Sequence, residues 1–137
     1  MKFPKRYILY GKRKLHSGQE SDIFYDVNAL LTDKSYRDYI LKNIPFSQHY
    51  VGIVTGGALI AGFMAEKNNS KFSMVKDGEL KGESPLGDWI LIDDVATTGR
   101  SLEKAIDIIG KYPSQIWVCV DRRTGKEDIS VETIFEI

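Results

Sequence analysis

Cysteine is almost missing from this chain of 137 residues: Cys119 stands alone, so no internal disulfide can form. It sits in the apolar run IWVCV, where it reads as a small buried hydrophobe, and an unbridged chain fits a reducing cytosol. Histidine is scarce too. With only His16 and His49 beside one thiol, a structural zinc site is excluded. Net charge is absent, since Lys+Arg and Asp+Glu are 19 each. No overall field therefore draws the chain to nucleic acid or to a membrane surface. No apolar run approaches the roughly 20 residues that span a bilayer. The opening segment MKFPKRYILYGKRKLHSG lacks the apolar core of a secretory signal. Repeats, low-complexity tracts and linkers are lacking as well, so one domain over 1–137, in the cytoplasm, is expected.

What is present centres on residues 90–102, ILIDDVATTGRSL. Ile90, Leu91 and Ile92 follow Trp89 as a short apolar run, the pattern of a strand buried on both faces. Asp93 and Asp94 fall where that strand should end. Val95 and Ala96 lead into Thr97, Thr98, Gly99, Arg100 and Ser101, a small-residue loop from which a helix starts. In open α/β sheets, ligands bind outside the carboxyl ends of strands. Backbone N–H groups and hydroxyls at 97–101, with the positive end of a helix dipole, suit a phosphate. The two acids are acceptors for vicinal sugar hydroxyls, directly or beside a Mg²⁺. Together these features describe a site for a phosphorylated sugar.

The same strand–turn–helix grammar recurs at 51–67. Val51-Gly52-Ile53-Val54 is a strand, Thr55-Gly56-Gly57 a turn, and Leu59 to Lys67 a helical stretch. Glycines there let backbone approach a ligand closely, although a tightly packed turn would look alike. A third apolar strand, 116–120, ends in Asp121-Arg122-Arg123-Thr124-Gly125. Further strands are expected at 71–75 and, as an edge, 131–137. Residues 77–88 read as a mobile loop or a hairpin. Asp33 is a plausible N-cap for a helix to Lys42, and His49 in the following connection is expected at the surface. Phe24 and Tyr25 are adjacent, so in a strand they face opposite ways, one to the core and one free to stack on a planar ligand. The resulting fold class is α/β, a sandwich around a mostly parallel sheet, with the turns after 54, 93 and 120 on one edge.

The run 90–102 resembles the phosphoribosyl diphosphate (PRPP) motif of type I phosphoribosyltransferases: hydrophobic strand, two acids, T-T-G turn. The order L-x-S-G-x-x-S at 15–21, then Phe24-Tyr25-Asp26, is similar to the orotate phosphoribosyltransferases within that group. The resemblance implies a three-layer sandwich, with a small N-terminal hood at about 1–30 and a PRPP-binding core at about 50–125. It implies that Thr55, Gly56 and Gly57 hold diphosphate, and that residues 95–101 hold the 5′-phosphate. His16, Phe24, Tyr25 and Arg122 would meet the base. His16 stands where that family has lysine. It implies Mg²⁺, orotate and PRPP as substrates, and a homodimer in which a flexible loop reaches the neighbouring site. The matching loop here is 75–82, where Lys76 and Lys81 are the candidate catalytic cations beside Asp93 and Asp94. Val75, Glu79 and Lys81 replace the family's arginine, second lysine and histidine. The expected reaction is orotate and PRPP to orotidine 5′-phosphate and diphosphate. The alternatives are another base, or a PRPP-binding regulator without catalysis. A dinucleotide-binding domain is set aside because no G-x-G-x-x-G follows any strand.

Overall fold

The computed structural model describes residues 1–14, 20–124 and 129–137. In chain order they form β1 (Ile8–Lys14), β2 (Glu20–Tyr25), α1 (Val27–Leu30), α2 (Lys34–Asn43), β3 (His49–Ile53), α3 (Gly56–Asn68), β4 (Lys71–Lys76), β5 (Glu79–Lys81), β6 (Ile90–Ala96), α4 (Arg100–Ile109), β7 (Gln115–Asp121) and β8 (Glu132–Thr133). Strands β1 and β2 pair antiparallel, with Tyr10 opposite Ile23, and form a separate two-stranded hood.

Among the described residues, the other strands make one six-stranded sheet in the order β5-β4-β3-β6-β7-β8. Every neighbour pair is parallel except β4 with β5. The chain leaves β3 toward β4 on one side and returns to β6 on the other. The strand order therefore reverses between β3 and β6, the point at which open α/β sheets open a crevice.

Burial on both faces explains the uninterrupted apolar runs. Ile90 and Ile92 pack with Ile60, Ala61 and Met64 of α3, beside Ile40 of α2. Leu91 points the other way, into Leu102, Ala105 and Ile106 of α4. This alternation makes the sheet the middle of three layers. Each such fully buried aliphatic side chain contributes about 1.5–3 kcal/mol. The cap expected at Asp33 is present: its carboxylate accepts from Ser35 N–H at 3.1 Å. Among the described residues, no helix is long and apolar enough to cross a membrane.

Three details differ from, or sharpen, the sequence reading. His49 is not a surface residue of the connection. It opens β3, is 4% exposed, and bonds Ser73 through Nε2 at 2.8 Å. The Ser73 hydroxyl itself donates to the Glu83 carbonyl, so Nε2 carries the proton in this pair. Of the two forms anticipated after Lys76, a hairpin is what forms. Asp77 (φ 50°) and Gly78 (φ 77°) make the two-residue turn between β4 and β5. The edge strand expected over 131–137 is reduced to Glu132–Thr133, while Ile134 and Phe135 turn into the core.

Candidate active site

The carboxyl ends of β3, β6 and β7 open into a cleft of about 250 Å³. Its floor is the end of β6. Asp93 is 6% exposed and Asp94 is half-buried beside it. The backbone N–H of Asp94 donates to Asp93 Oδ1 at 2.8 Å, and that of Val95 donates to Asp94 Oδ1 at 2.7 Å. Those bonds fix both carboxylates by their own main chain. No ion-pair partner reaches either acid among the described residues. Burial, and then the neighbouring Asp94, push the Asp93 carboxyl well above the usual carboxylate range. An acid pair held without a cation is poised for hydroxyl donors or positive charge brought by a ligand.

One wall continues from β6 into α4. Val95, Ala96, Thr97, Thr98, Gly99 and Ser101 all line the cleft. Gly99 takes φ 86° as the N-cap of α4, a left-handed conformation that costs glycine little. The N-cap Gly99 has no side chain to offer, and beyond the first N–H, which the Thr98 hydroxyl accepts, the N–H groups of Ser101 and Leu102 are open to an anion. Arg100 belongs to the predicted run, yet its side chain faces solvent and is not on the cleft wall. Its N–H donates to the Thr98 hydroxyl at 3.3 Å.

The β3 turn behaves differently from its first reading. Thr55 lines the cleft, and the Val54–Thr55 peptide is cis. Gly56 and Gly57 do not line it. A β-carbon on Gly57 would collide with the Ile92 carbonyl and stand 2.9 Å from Asp93 Cα. On Gly56 it would stand 2.8 Å from Asp94 Cβ. These glycines let the start of α3 press against the back of the acid pair, which is the close-packing reason for a glycine turn.

The opposite wall comes from the hood. Phe24 and Tyr25 both touch the cleft. Tyr25 also meets Phe3 edge-on at 5.2 Å and so belongs to the core, which leaves Phe24 as the ring free for stacking. Arg122 joins this wall from the end of β7. Its Nη1 donates to the Ile23 carbonyl at 3.0 Å, its guanidinium lies 5.3 Å over the Tyr25 ring, and its N–H donates to the Ala96 carbonyl. Arg123, by contrast, is committed to Asp121 and the Ile129 carbonyl. His16 lies outside the described residues.

Lys76 and Lys81 are not brought to this cleft. The tight hairpin is the reason. It pairs Lys76 with Glu79 across the strands, and Lys81 Nζ lies 3.5 Å from Glu79. One residue that sequence reasoning missed does line the cleft, Asn28 on α1. Nothing in its spacing marks it; only the fold carries α1 to the acid pair.

No family model matches the chain. Individual proteins do. The orotate phosphoribosyltransferase of Aeropyrum pernix is 28% identical over 141 residues, covering 89% of this chain and 76% of that protein. That of Sulfurisphaera tokodaii is 31% identical over 144 residues, covering 89% and 71%. The crystal structure of the Aeropyrum pernix enzyme superposes with a TM-score of 0.71 at 29% identity, over 85% of this chain and 76% of that one. With that much of both chains matched, and with a cleft that joins an acid pair to a glycine-led helix start under an aromatic hood, the chain belongs to the orotate phosphoribosyltransferase family.

Proposed function

We propose that this chain transfers a phosphoribosyl group from PRPP to orotate, giving orotidine 5′-phosphate and diphosphate in pyrimidine synthesis. The observation that carries the reading is the acid pair of buried Asp93 and half-buried Asp94, without a cationic partner among the described residues, between an anion site and an aromatic–arginine wall.

In this reading the uncapped start of α4 and residues 95–101 bind the 5′-phosphate. Asp93 and Asp94 accept the ribose hydroxyls and stabilise positive charge developing on the sugar as the anomeric bond to diphosphate breaks. Phe24 stacks on the pyrimidine. Arg122, braced by Ile23 and Tyr25, presents its guanidinium to the orotate carboxylate. A pyrimidine nitrogen then bonds to the anomeric carbon, and diphosphate leaves past Thr55.

Mg²⁺ fits the donor set. Among the described residues no cluster of three or more His, Cys, Asp or Glu forms an all-protein cage. Two carboxylates beside a phosphorylated substrate are what Mg²⁺ commonly uses. When bound with PRPP it would offset the charge of the leaving diphosphate. Asp93 and Asp94 would hold it, directly or through water.

The cations Lys76 and Lys81 act, in this reading, across a homodimer. The hairpin of one subunit covers the cleft of the other, since within one chain neither lysine lines it. The enzyme works in the cytoplasm. The deciding experiment adds Mg²⁺ and PRPP to the purified protein and follows orotate absorbance. Loss that requires every component is the expected result. No loss with PRPP still bound would shift the assignment to another base or to binding alone.

A further inference from the structure

Gly56 is overhung from two sides. The point where its β-carbon would stand is 3.1 Å from Asp94 Oδ2 and 3.1 Å from Asn28 Oδ1. A carboxylate and a carboxamide therefore face the same bare backbone, and both residues line the cleft. Asp94 comes from the end of β6. Asn28 comes from the first turn of α1, which Asp26 caps by accepting from Ala29 N–H at 3.1 Å. Asn28 itself takes no part in that cap, and its side chain makes no hydrogen bond to any other described residue. A carboxamide offers two donors and an oxygen acceptor. Left unused on a cleft wall beside a carboxylate, it serves a ligand rather than the fold.

We propose that Asn28 is a ribose-binding residue, its carboxamide and the Asp94 carboxylate together holding the sugar hydroxyl nearest the bond that breaks. The inference rests on the PRPP reading of the cleft. The Thr55 turn is assigned to the diphosphate, which is attached at C1 of the ribose. The hydroxyl beside that turn is then the one on C2. A hydroxyl donates once and accepts twice, so it can give its proton to Asp94 and take one from the Asn28 amide. A plain acid pair would only accept. Asn28 thereby adds the donor that the floor of the site lacks, and it is specific for a sugar carrying the C2 hydroxyl.

The test titrates ribose 5-phosphate and 2-deoxyribose 5-phosphate into wild type and Asn28→Ala by calorimetry. Orotate turnover of the wild type is measured alongside. The side chain is exposed and bonds no other described residue, so the variant should melt with the wild type. Expected is about a tenfold weaker affinity for ribose 5-phosphate in Asn28→Ala, the size of one lost hydrogen bond. The deoxy sugar should bind both proteins alike, since the partner of the amide is already gone. Asn28→Ser, which keeps a donor, should recover part of the loss. Equal affinity of wild type and Asn28→Ala for ribose 5-phosphate would overturn the proposal. So would a full loss with the deoxy sugar. In either case the PRPP reading stands if wild type still converts orotate. A wild type that neither binds ribose 5-phosphate nor converts orotate would overturn both.

Discussion

Gly56 and Asp94 are packed so closely that a single added methyl on the glycine would stand 2.8 Å from the Asp94 β-carbon. The start of α3 and the end of β6 are thus a matched pair, and the acid owes its position to the missing side chain behind it. Gly56→Ala should push Asp94 out of line and strain the helix start. Overpacking of this kind costs about 1–3 kcal/mol. A lower melting temperature is expected, with kcat for orotate reduced at least about tenfold, as one misplaced contact of about 1.4 kcal/mol implies. Orotate affinity, set on the opposite wall, should be unchanged. An undiminished kcat would show that Asp94 does not need this backing.

Replacing both acids, Asp93→Asn with Asp94→Asn, should abolish turnover and leave the fold intact by circular dichroism. Turnover at the wild-type level in this double variant would remove the acids from the mechanism. The single change Asp93→Asn should also alter pH dependence. The Asp93 pKa is raised in the fold, by burial first and Asp94 second, so the native state holds its proton longer than the unfolded chain does. Stability therefore falls as pH rises from the ordinary carboxylate value of 3.8 through the raised one. Asp93→Asn should flatten that slope and raise the melting temperature at neutral pH, while its Oδ1 still accepts from Asp94. A melting temperature that falls instead would show that the buried charge is not a cost.

His49 gives a slope of opposite sign. Burial lowers its pKa below 6.5, so the folded state takes up its proton less readily than the unfolded one. Its contribution is present above that pH and is lost as pH falls through the depressed value. Protonation also leaves a charge beside the Ser73 hydroxyl in a buried place. In wild type, denaturation midpoints should drop as pH is lowered from neutral. In His49→Gln, which keeps a donor toward Ser73, that share of the slope should vanish. Superimposable pH profiles would remove His49 from the account.

Arg122 is held by the Ile23 carbonyl and the Tyr25 ring, a geometry that uses the planar guanidinium. Lysine keeps the charge and loses the fork. Arg122→Lys should weaken orotate binding by about ten- to a hundredfold, the range for losing a bidentate charged contact. PRPP binding should be unaffected. Fluorescence titration with each substrate separates the two effects, and equal weakening of both would count against a base-binding role.

Subunit exchange tests the hairpin. Lys76→Ala alone should lose activity, and so should the double acid variant alone. A mixture of the two should regain it, because each mixed dimer pairs one intact cleft with one intact hairpin. No recovery on mixing would place the lysines in their own subunit's chemistry or outside it.

The β6–α4 half of the cleft was legible in the chain because its parts are contiguous. Strand, acids, turn and helix start follow one another within 90–102, and local sequence dictates their order in space. Thr55 and Arg122 were legible for the same reason, each ending an apolar strand. The purpose of Gly56 and Gly57 was not. Whether a glycine makes room for a ligand or for another strand depends on what packs behind it, and Ile92 and Asp93 are nearly forty residues away. Asn28 was invisible because an exposed polar residue on a short helix carries no pattern. His49 was misplaced because strand β3 begins two residues earlier than its apolar run.

Among the described residues the hood and the main sheet share no hydrogen-bonded strand pair, and they divide the cleft between them. Phe24 and Tyr25 come from the hood, whereas the acids and the phosphate loop come from β6 and α4. On the proposed reading, mutations that reshape the hood act on the nucleobase and, through Asn28 just behind it, on one sugar hydroxyl, while sparing the acid pair and the phosphate loop. On that reading, a lineage with this architecture can drift in base preference through a short N-terminal stretch, keeping the acid pair and the β6–α4 turn under unchanged selection.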